Sequence, residues 1–137
     1  MDAAQALADL TEISSQVEAA VLFDGTGEVA GSTLPGGQDA AALARAAGEL
    51  LARAAELGNG SEVSQVEAST PDGSVFVVSD GSRRIAATTG ADPTTGLVFY
   101  DLKSCLRDSG AVSDTETVSD TAKPRRRRTA KKDGDEA

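Results

Sequence analysis

Three tight turns constrain the fold of this chain more than any other feature of its sequence. They are Asp24-Gly25-Thr26-Gly27, Thr70-Pro71-Asp72-Gly73 and Asp80-Gly81, and each lies between two runs rich in apolar residues. Asp and Gly tolerate the positive φ angles that hairpin turns require. The flanking runs are therefore predicted to be strands, at residues 17–23, 28–33, 62–69, 74–79 and 83–89.

Apolar residues at helical spacing predict three helices around these strands. The first covers residues 5–16 and carries one apolar stripe, made of Leu7, Leu10 and Ile13. The third begins at Asp92-Pro93, because Asp caps a helix and Pro fits its first turn. It frays around residues 108–110, and its buried stripe is Val98, Leu102, Cys105 and Leu106.

The second predicted helix, residues 39–57, has more apolar surface than one contact needs. Asp39 can cap its first amides, and Gly58 ends it. One stripe suits a sheet: Leu43, Ala47, Leu50, Ala54 and Leu57. A second stripe of mostly small residues predicts contact with another copy of the chain: Ala40, Ala44, Gly48, Leu51 and Ala55. The alternative is that the alanines only reflect helix propensity.

A narrow polar stripe runs along the same helix. Its residues are spaced for ion pairs three or four positions apart, and they are Arg45, Glu49, Arg53 and Glu56. Such pairs on an exposed helix face contribute only about 0.2–0.5 kcal/mol each. This stripe is therefore predicted to face solvent.

The predicted order is α-β-β-α-β-β-β-α, which defines an α+β fold with a five-stranded antiparallel sheet. Residues 1–110 form one domain of this kind. Residues 75–78 are apolar on both faces, which is typical of a central strand covered on both sides or paired at an interface. Residues 111–137 hold too little apolar surface to offset chain entropy, and we predict a disordered tail.

The composition argues against most enzyme classes. The chain has no histidine, no tryptophan and one cysteine, which removes histidine-based triads and the usual zinc sites. Asp72, Asp80 and Asp92 are explained by their turns and caps, and no phosphate-binding glycine motif is present. We expect a non-enzymatic protein without a cofactor or metal. Low cysteine content and the lack of a leader or spanning segment predict a cytoplasmic location.

Three features together resemble the roadblock/dynein light-chain family in its bacterial form. They are the first helix running into VEAAVLFDGTGEVAGST, the Ala-rich second helix, and the segment VEASTPDGSVFVVSDGSRRIAATTGADPTTGLVFYDLKSCL. The resemblance covers residues 5–108 and implies a roadblock/profilin-like fold. Its members dimerise through their second helices and third strands, which places Val63, Gln65 and Val66 at a paired edge. A paired edge is also protected from aggregation.

The resemblance also implies a function. Bacterial members are similar to regulators of small Ras-like GTPases, some of them in sensor kinase pathways, and others in the family are scaffolds or adaptors. The implied function is a non-catalytic homodimeric regulator or scaffold of a small GTPase. The alternatives are a small-molecule sensory module, or a dimeric adaptor that binds through the tail.

The tail contains a concentrated basic cluster over 123–132. Its residues are Lys123, Arg125, Arg126, Arg127, Arg128, Lys131 and Lys132. It can bind nucleic acid, an anionic membrane or an acidic patch, or it can serve only to solubilise the protein. Residues 1–110 are acidic instead, with 16 acids and 6 bases.

Overall fold

A computed structural model describes residues 2–58 and 62–117, with side chains described as far as residue 110. It contains three helices and five strands. The helices are α1 (Ala3–Ile13), α2 (Gly37–Leu57) and α3 (Thr95–Thr117). The strands are β1 (Val17–Asp24), β2 (Val29–Ser32), β3 (Gln65–Thr70), β4 (Gly73–Ser79) and β5 (Arg83–Thr89). The predicted order of elements and the α+β class are confirmed.

The five strands form one antiparallel sheet in the order β2-β1-β5-β4-β3. The three tight turns join β1 to β2, β3 to β4 and β4 to β5, as predicted. The strand β5 is central, with Ala86 paired to Val21 on one side and to Val77 on the other. The strands β2 and β3 are therefore the two edges.

One face of the sheet packs on α1 and α3. Leu22, Phe76 and Ile85 point into this layer, and the predicted stripe of α3 covers them. Phe76 meets Phe99 edge to face, with ring centroids 5.0 Å apart. Two helices thus bury this face, and the stripe at Val98, Leu102, Cys105 and Leu106 is confirmed.

The opposite face of the sheet carries α2 alone. Val21, Phe23, Val77 and Ala86 lie under it. The buried residues of the helix are Ala40, Ala44, Ala47 and Leu51. Because β4 contributes Phe76 to one layer and Val77 to the other, the prediction of a strand covered on both faces is confirmed.

Two helices begin earlier than predicted. The helix α1 begins at Ala3, because the Asp2 carboxylate accepts a hydrogen bond from the Gln5 amide at 2.8 Å. It ends at Ile13, whose side chain is 64% exposed, so Ile13 does not belong to the buried stripe. The helix α2 begins at Gly37, and Asp39 lies in its first turn without a capping hydrogen bond.

The start of α3 also differs from the prediction. Asp92 takes a left-handed conformation with φ of 58° and does not cap the helix. The helix begins at Thr95, where the Thr94 carbonyl accepts the first helical hydrogen bond from Val98 at 3.0 Å. The Thr94 amide donates to Gln16 Oε1 at 2.6 Å, which connects this helix to the segment before β1.

The predicted fraying near Gly110 is wrong, because α3 continues to Thr117. Gly110 is buried, and a side chain there would collide with the Arg83 guanidinium. The end of the flexible Arg83 side chain lies against Gly110, and the helix extends past this residue. The start of the predicted tail at residue 111 stays a prediction. The basic cluster lies in 118–137, outside the described residues.

Candidate protein interface

A groove of about 690 Å³ runs beside α2 on the face that this helix covers alone. The wall is formed by α2, and the floor includes Phe23, Ser79 and Arg84. The turn at residues 25–27 and the segment before β3 close its sides. The groove is broad, shallow and open to solvent.

The groove follows from the number of elements in each layer. Five strands spaced about 4.8 Å apart make a sheet about 20 Å wide. A single helix is only about 10 Å in diameter. Two helices cover one face of this sheet, and one helix leaves part of the other face open. The free width matches one further helix.

Most residues predicted to contact a second copy border this groove. They are Ala44, Gly48, Leu51, Ala55 and Val63. Ala40 does not border the groove. It lies on the side of α2 that packs on the chain's own sheet, where it is 3% exposed. Its assignment to a dimer interface stays a prediction. Ala44 and Leu51 are also buried in the core, so they support the wall from behind.

The accessible part of the helical wall was missed by the sequence analysis. It is formed by Ala41, Arg45 and Ala52, which line the groove and are exposed. Together with Gly48 and Ala55 they recur at helical spacing. They form a stripe next to the one that was predicted to contact a second copy. The signal was present in the sequence, but the direction of the sheet was needed to place it.

Among the described strands, the edge strand β3 pairs with β4 alone, and its other side has no strand partner there. Gln65 and Val66 begin this strand, and Gln65 is exposed while Val66 packs partly against the layer under α2. Val63 precedes the strand, so it belongs to the groove and not to the strand edge. An unpaired edge and the open groove thus lie on adjoining parts of the molecule.

The charge of the groove is mainly positive. Arg45 and Arg84 line it, opposed by Glu62 alone. The Arg84 Nε is buried, and among the described residues it has no hydrogen-bond partner. In the predicted polar stripe, the structure forms the Arg53–Glu56 pair at 3.7 Å, with both side chains about 70% exposed.

The turn beside the groove is held by its own residues. The Asp24 carboxylate accepts hydrogen bonds from Thr26 Oγ1 at 2.6 Å and from the amides of Thr26 and Glu28. These bonds lower the pKa of Asp24, with the Thr26 hydroxyl the main cause. Gly27 follows with φ of 92°. The turn geometry thus explains the Asp24 carboxylate.

Among residues 2–58 and 62–117, no group of three or more potential metal-ligating side chains comes together. Within the same residues, no helix is long and apolar enough to cross a membrane. What the groove can do chemically is bury apolar surface and offer guanidinium donors. These properties suit contact with a protein surface.

Neither a protein-family model nor a curated protein matches this chain. Solved structures do match. A Roadblock/LC7 domain from Streptomyces avermitilis is 19% identical, covers 83% of this chain and 99% of its own, and superposes with a TM-score of 0.72. The chain therefore has the Roadblock/LC7 fold.

Two further solved structures with this fold are similar to the chain. The gliding protein MglB from Thermus thermophilus is 14% identical over 82% of this chain and 89% of its own, with a TM-score of 0.66. MglB from Myxococcus xanthus is 15% identical over 82% and 92%, with a TM-score of 0.62. At these identities, the likeness establishes the fold that was predicted from the sequence motifs.

Proposed function

We propose that this protein is a non-catalytic homodimer that regulates or scaffolds a small Ras-like GTPase. The observation that carries the proposal is the half-covered face beside α2, continuous with the free edge of β3. A second copy can bury both at once. Its α2 occupies the groove and its β3 extends the sheet, in an arrangement with two-fold symmetry.

Two physical costs favour this dimer. The open groove leaves apolar surface of Ala41, Ala52 and Val63 accessible to water, and its burial stabilises by about 25 cal/mol per Å². The free strand edge leaves backbone donors and acceptors that invite uncontrolled pairing. A defined partner removes both. Ala41, Gly48 and Ala52 allow a second helix to approach closely because their side chains are small.

Support for a GTPase partner comes from the resemblance and from the fold. The sequence motifs resemble bacterial roadblock regulators of Ras-like GTPases, and a solved structure with this fold is described as a gliding protein. Another is described as MglB in a tetrameric arrangement, so proteins of this fold assemble. In this proposal the chain contributes a surface, and GTP hydrolysis uses residues of the GTPase.

The dimer is tested with Ala52→Glu, which places a charge on the exposed wall of the groove. We expect the variant to sediment as a monomer at concentrations where the wild type is a dimer. Ala46→Glu is the matched control, because Ala46 is also an exposed alanine of α2 but does not line the groove. If both variants sediment as the wild type does, the groove is not the interface. Leu51 is unsuitable for this test because it is 5% exposed and supports the core.

The GTPase is tested by affinity capture from the native lysate with GDP and with a non-hydrolysable GTP analogue. We expect a small GTPase, identified by mass spectrometry, to be retained in one nucleotide state and not in the other. Retention of no GTPase in either state contradicts the proposed partner. The Ala52→Glu protein shows whether the dimer is required.

A small-molecule sensor is the second candidate, because the groove volume lies in the usual range for ligand sites. Denaturing extraction of the purified protein followed by mass spectrometry tests it. A small molecule recovered in stoichiometric amount supports a sensor. If no such molecule is found and the Ala52→Glu variant is monomeric, the results support the dimer interface.

A further inference from the structure

Two guanidinium groups lie in the groove beside α2, although bases are scarce in this domain. They belong to Arg45 on the wall and Arg84 on the floor, which are two of the six bases in residues 1–110. Residues 1–110 hold 16 acids, but Glu62 alone among them lines the groove. The groove therefore carries an excess of positive charge in an otherwise acidic domain.

The Arg84 side chain extends from the sheet to α2. In the sheet Arg84 is paired with Phe23 on one side and with Ser79 on the other, and neither has a carboxylate. The Arg84 Nη1 is 3.9 Å from the position that a Cβ on Gly48 would occupy, so the end of the side chain lies beside the helix. Its Nε is buried and has no hydrogen-bond partner among the described residues. The domain thus places a permanent positive charge in the groove without pairing it.

Arg45 brings a second charge to the same place. It lies one helical turn before Gly48, on the same side of α2, so its guanidinium is within reach of Arg84. The ion pairs among the described residues involve other arginines, Arg53 and Arg83. Two like charges close together repel each other, and an anion between them removes that repulsion.

A buried hydroxyl adds a third donor. Ser79 lies directly opposite Arg84 in the sheet, lines the groove and is 8% exposed. Its Oγ donates to the Gly81 carbonyl over a long distance of 3.5 Å. Because a hydroxyl can rotate, it can donate to a ligand oxygen instead. Donors from the wall and the floor thus face one space.

We propose that this groove binds a phosphate group, as free phosphate or as part of a small molecule. Guanidinium groups match phosphate oxygens, and a phosphate charge of about −1.5 to −2 balances two arginines, whereas one carboxylate balances one. The groove volume of about 690 Å³ leaves room for the rest of a phosphorylated ligand. The site uses residues of one chain, so it does not rest on the proposed homodimer, and it gives the ligand class for the second candidate function. A ligand in the groove and a second copy's helix exclude each other.

The test is a titration of the full chain with inorganic phosphate and with adenosine monophosphate, followed by NMR below the concentration at which the wild type self-associates. The basic cluster at 123–132 also attracts phosphate, so the readout is the amide shifts of Gly48, Ser79 and Arg84, which line the groove. We expect these shifts to saturate with phosphate and not with chloride at equal ionic strength. Tighter binding of adenosine monophosphate identifies a phosphorylated small molecule as the ligand, and equal affinity identifies the free anion.

Variants of the lining residues make the test specific. Arg45→Met and Arg84→Met should each weaken phosphate binding by at least about tenfold, because each removes a charged donor and keeps an apolar stem. Glu62→Gln should strengthen it by about threefold, because a like charge is removed from the groove. The matched control is Arg53→Met, an exposed arginine of the same helix that does not line the groove. It should change the affinity by less than about twofold.

Two results overturn the inference. One is that neither probe saturates the shifts of the groove amides. The other is that Arg45→Met and Arg84→Met bind phosphate as the wild type does while circular dichroism shows that they are folded, which places binding outside the groove. A wild type that is monomeric at every concentration contradicts the proposed homodimer and leaves this site intact, so the two proposals fail separately.

Discussion

Cys105 illustrates how burial sets the chemistry of a single side chain in this domain. The thiol lies in the layer under α1 and α3, is 4% exposed, and donates to the Ala6 carbonyl at 3.4 Å. Burial raises its pKa to about 12, with smaller contributions from Asp108 and Asp9. The residue acts as a small apolar side chain, in agreement with its place on the predicted stripe.

This burial predicts slow thiol chemistry. At pH 8 we expect native Cys105 to react with a disulfide reagent roughly a thousandfold more slowly than in the urea-unfolded chain, because little thiolate is present. The neutral thiol is favoured by folding, so its contribution to stability is complete below pH 9 and is lost as the pH rises toward about 12. Equal reactivity of the folded and unfolded chains would contradict the assigned burial. Reagent absorbance measures both rates.

Phe76 is the largest fully buried side chain and meets Phe99 at an interplanar angle of 77°. We expect Phe76→Ala to lower the free energy of unfolding by about 3–5 kcal/mol, because a cavity replaces the ring and its edge-to-face contact. Urea unfolding followed by circular dichroism measures this loss. Tyr100→Ala is the control, since Tyr100 is 66% exposed and should change stability little.

At the scale of elements, the free edges of the sheet differ in their surroundings. The strand β3 lies beside the segment that borders the groove, whereas β2 lies at the opposite edge, next to β1. In the proposed dimer β3 becomes an internal strand and β2 stays at an edge. The two edges should therefore respond differently to dissociation.

Hydrogen exchange distinguishes these edges. We expect amides of β3 that point away from β4 to be protected in the wild type and to exchange at least about tenfold faster in Ala52→Glu, because dissociation exposes them. The outward amides of β2 should exchange at the same rate in both proteins. If β3 exchange is unchanged while Ala52→Glu is monomeric, the dimer forms through the helices without strand pairing.

At the scale of the whole molecule, charge is divided between two parts of the chain. Residues 1–110 carry 16 acids and 6 bases, whereas residues 123–132 carry seven bases and no acid. The acidic part repels a polyanion, so binding of nucleic acid or an anionic membrane depends on the basic cluster. The cluster follows the described residues in the sequence, so truncation can remove it.

Deleting residues 118–137 tests this division. If the cluster is a binding element, we expect the full chain to bind phosphatidylserine vesicles or duplex DNA at low salt, and the truncated chain to lose that binding by at least about tenfold. Sedimentation with vesicles and fluorescence anisotropy with DNA measure it. The self-association of the truncated chain serves as the control and should be unchanged. A full chain that binds neither ligand leaves the cluster with a solubilising role.

The sequence alone determined the elements and their order, because turn residues and apolar periodicity are local properties. Asp24-Gly25, Asp80-Gly81 and the double-faced run at residues 75–78 were sufficient to predict hairpins and a two-sided sheet. The helix ends at Asp39, Asp92 and Gly110 were misplaced; the start of α3 involves a distant contact, from the Thr94 amide to Gln16 Oε1. Gly110 suggested fraying until the structure placed Arg83 against it.

The tertiary structure alone decided which surface remains free. The sequence showed that α2 has more small and apolar residues than packing on one sheet requires. This excess predicted that a partner contacts the helix. The sequence did not show which side of the helix meets the sheet. The two adjacent stripes have similar composition, so either one could pack on the strands, and only the position of the sheet decides between them. Once the sheet buries Ala40 and Leu51, the accessible wall moves to Ala41, Arg45 and Ala52.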